Sequence, residues 1–134
     1  MVSSVNLVIR YYAAFNAGDW AGMLALLTDD VLHDINQGGR EEGRDAFAAF
    51  LGRMDRNYGE QLRDIVVMAS EDGSRAAAEF VVHGTYRNTD EGLPAATGQP
   101  YVLPAGAFFD IRDGKIARVS NYYNLQDWLT QIAA

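Results

Sequence analysis

Residues 99–123 read QPYVLPAGAFFDIRDGKIARVSNYY, and this stretch decides the fold. At its centre Asp113-Gly114 is a strong hairpin signal. Upstream, Gln99 to Ile111 reads as a strand, broken or edged at Pro104 because proline cannot donate to a ladder. Downstream, Lys115 to Tyr123 is the returning strand. Further back, Arg75 to Arg87 is rich in Ala and Val and reads as another strand. It is joined through the turn Glu71-Asp72-Gly73-Ser74 to a strand at Leu62 to Ala69. Asn88 to Gly98 is a loop longer than a tight hairpin needs. The second half of the chain is therefore a run of antiparallel strands.

The flanks are helical. Val5, Val8, Tyr11, Tyr12 and Phe15 recur at three- and four-residue steps and share one stripe. Gly18 suits a C-terminal cap, and Asp19 can cap the next helix. There Trp20, Met23, Leu24 and Leu27 repeat the spacing, to an end near Thr28-Asp29-Asp30. Val31 to Asn36 reads as a short strand, and residues 37–43 as a polar, glycine-rich loop. Phe47, Phe50, Leu51 and Met54 mark the buried face of a third helix. Asn124 caps a short terminal helix carrying Leu125, Trp128, Leu129 and Ile132. Helices segregated from strands predict an α+β fold. A curved sheet wrapped around a helix encloses a cavity at its open end.

Composition bounds the function. With 134 residues the chain is one domain, 1–134, long enough to bury a real core. The absence of cysteine excludes disulfides and thiolate chemistry. A formal net charge of -7, without a basic stripe, argues against nucleic acid as a partner. Met1 to Arg10 shows no signal-peptide pattern, and no apolar window approaches a membrane span. The expected location is cytoplasmic, with no membrane partner. Two histidines, His33 and His83, make a weak metal case. No serine sits in a glycine-flanked elbow, and Gly38-Gly39 is not followed by a phosphate-binding lysine. No cofactor is expected.

The order of elements resembles the nuclear transport factor 2-like superfamily, in particular its ketosteroid isomerase and SnoaL-like polyketide cyclase branches. The residues that carry the resemblance run from Arg10-Tyr11-Tyr12 through Asn16-Ala17-Gly18-Asp19 and Leu27-Thr28-Asp29-Asp30. They continue with His33-Asp34, Gly43-Arg44-Asp45 and Phe47, and end with Asp113-Gly114-Lys115-Ile116 and Tyr122-Tyr123-Asn124. The resemblance implies a cone-shaped curved antiparallel sheet packed on N-terminal helices, a small hydrophobic ligand and a homodimer paired through the exposed sheet face. Ketosteroid isomerase uses an aspartate base and an oxyanion hole of tyrosine and protonated aspartate. By resemblance the tyrosine falls on Tyr11 and the base on Asp34. The second aspartate falls on Ala107, which cannot donate a hydrogen bond. Limonene epoxide hydrolase shares this fold, but Asp110 and Arg112 fit its Asp-Arg-Asp trio poorly.

Asp34 is the leading catalytic candidate, because a carboxylate on an apolar wall has a raised pKa and is a better base. Leu32, Asp34 and Asn36 share one strand face; Val31, His33 and Ile35 share the other. His83, on the face of Glu79 and Val81, either relays a proton inward or lies on the outer sheet face. Tyr11, with Asn121 or Tyr123, is expected to stabilise an enolate oxygen. Trp20, Asn36, Phe50, Ala107, Phe109, Asn121 and Tyr123 are the expected substrate-binding residues; Trp20, Phe50 and Phe109 are equally readable as core. Two functions follow. One is a cofactor-independent isomerase, cyclase or dehydratase acting on a small hydrophobic carbonyl compound. The other is a non-catalytic binding protein of the same fold.

Overall fold

The computed structural model describes residues 3–133; Met1, Val2 and Ala134, the ends of the expected 1–134 domain, lie outside them. The chain runs α1 (Ser4–Ala17), α2 (Trp20–Leu24), β1 (Leu27–Asp34), β2 (Arg40–Glu42), α3 (Arg44–Asn57), β3 (Tyr58–Ala69), β4 (Arg75–Tyr86), β5 (Pro100–Arg112), β6 (Lys115–Tyr123) and α4 (Leu125–Ile132). The six strands form one open, curved sheet in the order β2-β1-β6-β5-β4-β3.

Local signals explain most element ends. Gly18 closes α1 at φ 69°, a left-handed value that costs glycine little. The Asp19 carboxylate accepts from Gly22 N at 2.9 Å to start α2. The Asn124 side chain does the same for Asp127 N at 3.0 Å in α4. α2 ends sooner than its apolar spacing predicts, because Leu27 and Thr28 are taken into β1. The glycine-rich loop also yields a strand, β2, antiparallel to β1.

The sheet is mixed. β1 pairs in parallel with β6, with His33 opposite Val119 and Asp34 opposite Ser120. All other pairings are antiparallel. The inner face carries Ala76, Ala78, Phe80, Val82 and Tyr86 from β4 and Tyr101, Leu103, Ala107 and Phe109 from β5, all buried against α1 and α4. Tyr58 stacks on Tyr86 at 5.4 Å, and Trp128 of α4 stands edge-on to both. In β3 a bulge at Asp64, φ 55°, lies where the register shifts between Arg63 and Val66. The extra residue moves Ile65 and Val67 to the inner face. Asp tolerates that backbone better than a branched residue would.

Candidate active site

The helices and the inner sheet face enclose a cavity of about 520 Å³. Its walls are largely aromatic, from Tyr11, Phe15, Trp20, Phe47, Phe50 and Phe80. Charged residues, Arg53, Asp55, Arg87, Asp90 and Glu91, also border it. This volume lies in the range that accommodates small organic ligands. The position of each expected residue against this cavity divides the set.

Asp34 does not face it. The expected placement on the cavity wall is overturned by strand alternation, with its neighbour His33 turned inward. Asp34 stands on the outer face and is fully engaged. Arg40 Nε and Nη2 donate to it at 2.6 and 3.0 Å, and Ser120 Oγ donates at 2.5 Å. Those partners, Arg40 first, hold its carboxyl down at about 2. The network continues through Arg118, which donates to Ser120 Oγ at 2.6 Å and to Asp110 at 3.0 Å. A paired, strongly acidic carboxylate is a poor proton acceptor near neutrality.

His83 is also on the outer face, opposite Gln61 and Val102, while the adjacent Val82 is buried. The inward alternative is therefore excluded. Ala107 and Phe109 do point inward, but into the packed core: they are 1% and 0% exposed. They support the cavity without bordering it. Trp20, Asn36, Phe50, Asn121, Tyr123 and Tyr11 all line it. Asn36 Nδ2 is tied to the Tyr123 carbonyl at 3.0 Å. Burial pushes the Tyr11 phenol above its usual pKa, so it stays neutral.

Two polar stations break the apolar lining. One is His33, 2% exposed and packed between Phe47 and Phe50, each at 4.6 Å. Burial lowers its pKa to about 4, an effect the nearby Asp34 charge only partly offsets. The imidazole is neutral at pH 7, and Asn121 Nδ2 donates to its Nε2 at 3.2 Å. Asn121 keeps a second N–H and its carbonyl oxygen for another partner.

The other station is Glu60. The sequence reading begins this strand at Leu62 and so leaves Glu60 outside it. In the structure β3 starts at Tyr58, and Glu60 lines the cavity between Tyr58 and Leu62. Burial raises its carboxyl pKa. Tyr101 Oη donates to Glu60 Oε2 at 2.5 Å. The ring reaches Glu60 by crossing Gly84 of the intervening strand; a Cβ there would stand 2.3 Å from it. The period-two pattern Tyr58, Glu60, Leu62, a lone acid between two apolar residues, is the signal that could have found it. Beside it Tyr58 Oη donates to Asp90 Oδ2 at 2.9 Å, and Asn57 Nδ2 to Oδ1 at 3.1 Å.

A family model described as SnoaL-like domain matches residues 8–119. No curated protein sequence matches the chain. Among solved structures, a "putative polyketide cyclase" from Pseudomonas putida KT2440 is 64% identical, with TM-score 0.97, covering 98% of this chain and 99% of that one. A protein of the same description from Xanthomonas campestris pv. campestris is 64% identical, with TM-score 0.93 and 96% of each chain covered. A third, from Silicibacter sp. TM1040, is 53% identical, with TM-score 0.96 and 98% and 96% covered. An "LEH-like epoxide hydrolase" from M. tuberculosis, 18% identical with TM-score 0.76 and 97% and 89% covered, shares the fold.

Proposed function

Because this chain belongs to the SnoaL-like domain family, within the nuclear transport factor 2-like superfamily, we propose that it is a cofactor-independent isomerase or cyclase. Its substrate is a small, mainly apolar carbonyl compound, and its proton-transfer group is Glu60. One observation carries this reading: a half-buried carboxyl, its pKa raised by desolvation, faces an aromatic cavity. A carboxylate in that setting is a stronger base than one in water, and its pKa lies closer to neutrality.

The step is simple to write. Glu60 takes a proton from the carbon next to the carbonyl. The electron pair of that C–H bond moves into the enolate, and the negative charge settles on the carbonyl oxygen. Tyr123 lines the same cavity, close enough to Glu60 for the carboxylate charge to help raise its phenol pKa. It offers its hydroxyl to the enolate oxygen. Glu60 then returns the proton to a second carbon in an isomerisation. In a ring closure the enolate carbon attacks another carbonyl instead, and Glu60 gives the proton to the new alkoxide. Trp20 and Phe50 hold the apolar body. Asp34 and His83 have no part in this mechanism.

The test is α-proton exchange of 1-tetralone in deuterated buffer, followed by proton NMR. Glu60→Gln removes the base without removing volume and is expected to slow exchange at least about a hundredfold. Exchange by Glu60→Gln at the rate of the unmodified protein refutes the role of Glu60, and an unmodified protein that exchanges no faster than buffer is a non-catalytic binding protein.

The outer sheet face supports a homodimer. Phe108 and Tyr122 are 51% and 56% exposed and contact each other edge-on at 5.6 Å; Val102, Val66 and Met68 are also exposed. An apolar patch of this kind marks an interaction surface, and a homodimer covers it. Phe108→Glu is expected to give monomers in sedimentation at micromolar concentration. A monomeric unmodified protein contradicts the dimer.

A further inference from the structure

We infer that the occupant of the cavity carries a second, uncharged oxygen away from the carbon that Glu60 deprotonates, and that Asn121, positioned by His33, binds it. This rests on the reading of the cavity as a substrate site and names the class of substrate: a dioxygenated, neutral compound.

The spacing comes first. Tyr101, the partner of Glu60, and Ala107, the cross-strand neighbour of Asn121, are both on β5. They are six positions apart. Side chains close part of that distance, since Tyr123, two residues from Asn121 on the same strand face, is near enough to Glu60 to feel its charge, and the two stations are separate points on the wall of one cavity. A ligand with a single oxygen cannot serve both.

The chemistry of the Asn121 station sets the kind of group. His33 accepts one amide N–H at Nε2 and so fixes the rotation of the amide. The remaining N–H is a donor and Oδ1 an acceptor, so a carbonyl or a hydroxyl fits equally. A charged group does not, because the neighbouring imidazole is neutral and flanked by Phe47 and Phe50. His33 Nδ1 and the Tyr12 hydroxyl, both buried, have no partner among the described residues. The guanidinium of Arg53 lies over Phe50 at 5.4 Å but is paired with Asp90 at 3.7 Å, so it brings no unpaired countercharge to this station, and burying an unpaired charge is expensive.

This arrangement also explains Ala107. Register places Asn121 directly opposite it, so the amide occupies the region where a side-chain donor at position 107 would reach. His33 does not touch the ligand. It acts through Asn121, and it does so only while its Nε2 lone pair is free. The groups that face it are Asn121 on β6, Phe47 and Phe50 on α3, and the Asp34 charge from its own strand.

The experiment compares two probes by calorimetry, 4-phenylphenol with one hydroxyl and 4,4′-dihydroxybiphenyl with one at each end. The unmodified protein is expected to bind the diol about three- to tenfold more tightly, the worth of one added neutral hydrogen bond. Asn121→Leu is expected to bring the ratio to about one. His33→Phe is expected to bring the ratio to about one as well. A merely structural role for His33 moves both probes alike and leaves the ratio unchanged, which overturns the positioning claim. A ratio near one in the unmodified protein, or a ratio that survives Asn121→Leu, overturns the second oxygen. The ratio does not depend on Glu60, so a Glu60→Gln variant that still exchanges protons condemns the catalytic reading alone.

Discussion

Asp34 and Glu60 are both carboxylates on strands of one sheet, and the sheet pushes them in opposite directions. Asp34 is on the outer face, where Arg40, Ser120 and Arg118 surround it and its pKa falls to about 2. Glu60 is on the inner face, where a phenol is its hydrogen-bond partner and burial raises its pKa. Phenol donation favours the charged form, but less than desolvation opposes it. A charged partner in reach of water fixes a carboxylate as an anion. A neutral partner in an apolar enclosure leaves it able to exchange a proton. The proposed proton transfer therefore belongs to the inner residue.

The largest expected effect breaks this contrast directly. Glu60→Gln is expected to cost at least about a hundredfold in α-proton exchange, whereas Asp34→Asn changes it by less than about threefold. Equal losses in both variants, measured in one assay, would reverse the assignment of the two faces.

A second inner group sharpens the rule about burial. His33 has no charged hydrogen-bond partner, and its folded pKa, about 4, lies below the unfolded value near 6.5. Between those values the unfolded chain holds the proton and the folded chain does not. Stability is therefore full above about pH 6.5 and falls as the pH drops towards 4. The loss reaches about 3 kcal/mol, at 1.36 kcal/mol per pKa unit. Urea unfolding across this window measures it, and His33→Phe is expected to flatten the slope. An unchanged slope would mean that His33 is solvated.

A third substitution tests what holds the inner pair together. Gly84→Ala puts a methyl group 2.3 Å from the Tyr101 ring. Relieving that overlap is expected to cost about 1–3 kcal/mol and to separate Tyr101 from Glu60. Thermal unfolding gives the first number. The acid limb of the exchange profile gives the second: losing the phenol donor moves it to higher pH. A neutral substitution would show that the ring has another way past β4.

These contrasts also show what the amino-acid sequence reveals. The caps at Asp19 and Asn124, the Asp113-Gly114 hairpin and the apolar helix stripes were legible because each is settled within a few residues. The inward set Asn121 and Tyr123 was legible from alternation plus family resemblance. Alternation also separates His33 from Asp34, but it does not say which of them points inward. That choice rests on Arg40 and Ser120 arriving on one side and Phe47 and Phe50 on the other. All four come from other elements, β2, β6 and α3. The parallel β1–β6 pairing was hidden for the same reason, because its partners lie more than eighty residues apart. Glu60 was missed for a local reason, since Gly59 interrupts the β pattern just where the strand begins.

The smallest effect concerns the outer carboxylate itself. Asp34 has a folded pKa below the unfolded value near 3.9, so it stabilises the protein above that pH. As the pH falls from about 4 towards 2, the folded chain takes up its proton last and the contribution disappears. The pair with Arg40 is reached by solvent, and screening keeps its worth small. Arg40→Gln removes the largest cause of the depression and leaves Ser120 and Arg118 in place. It is expected to lower stability at pH 7 by that small amount, and by nothing measurable at pH 2. The acid loss at His33, at higher pH, stays as it is. Two separate acid transitions, one moved by Arg40→Gln and one by His33→Phe, are what two independent faces require. If Arg40→Gln moves the His33 transition by more than a few tenths of a pH unit, the faces are coupled through β1, and the outer network helps to set the chemistry of the cavity.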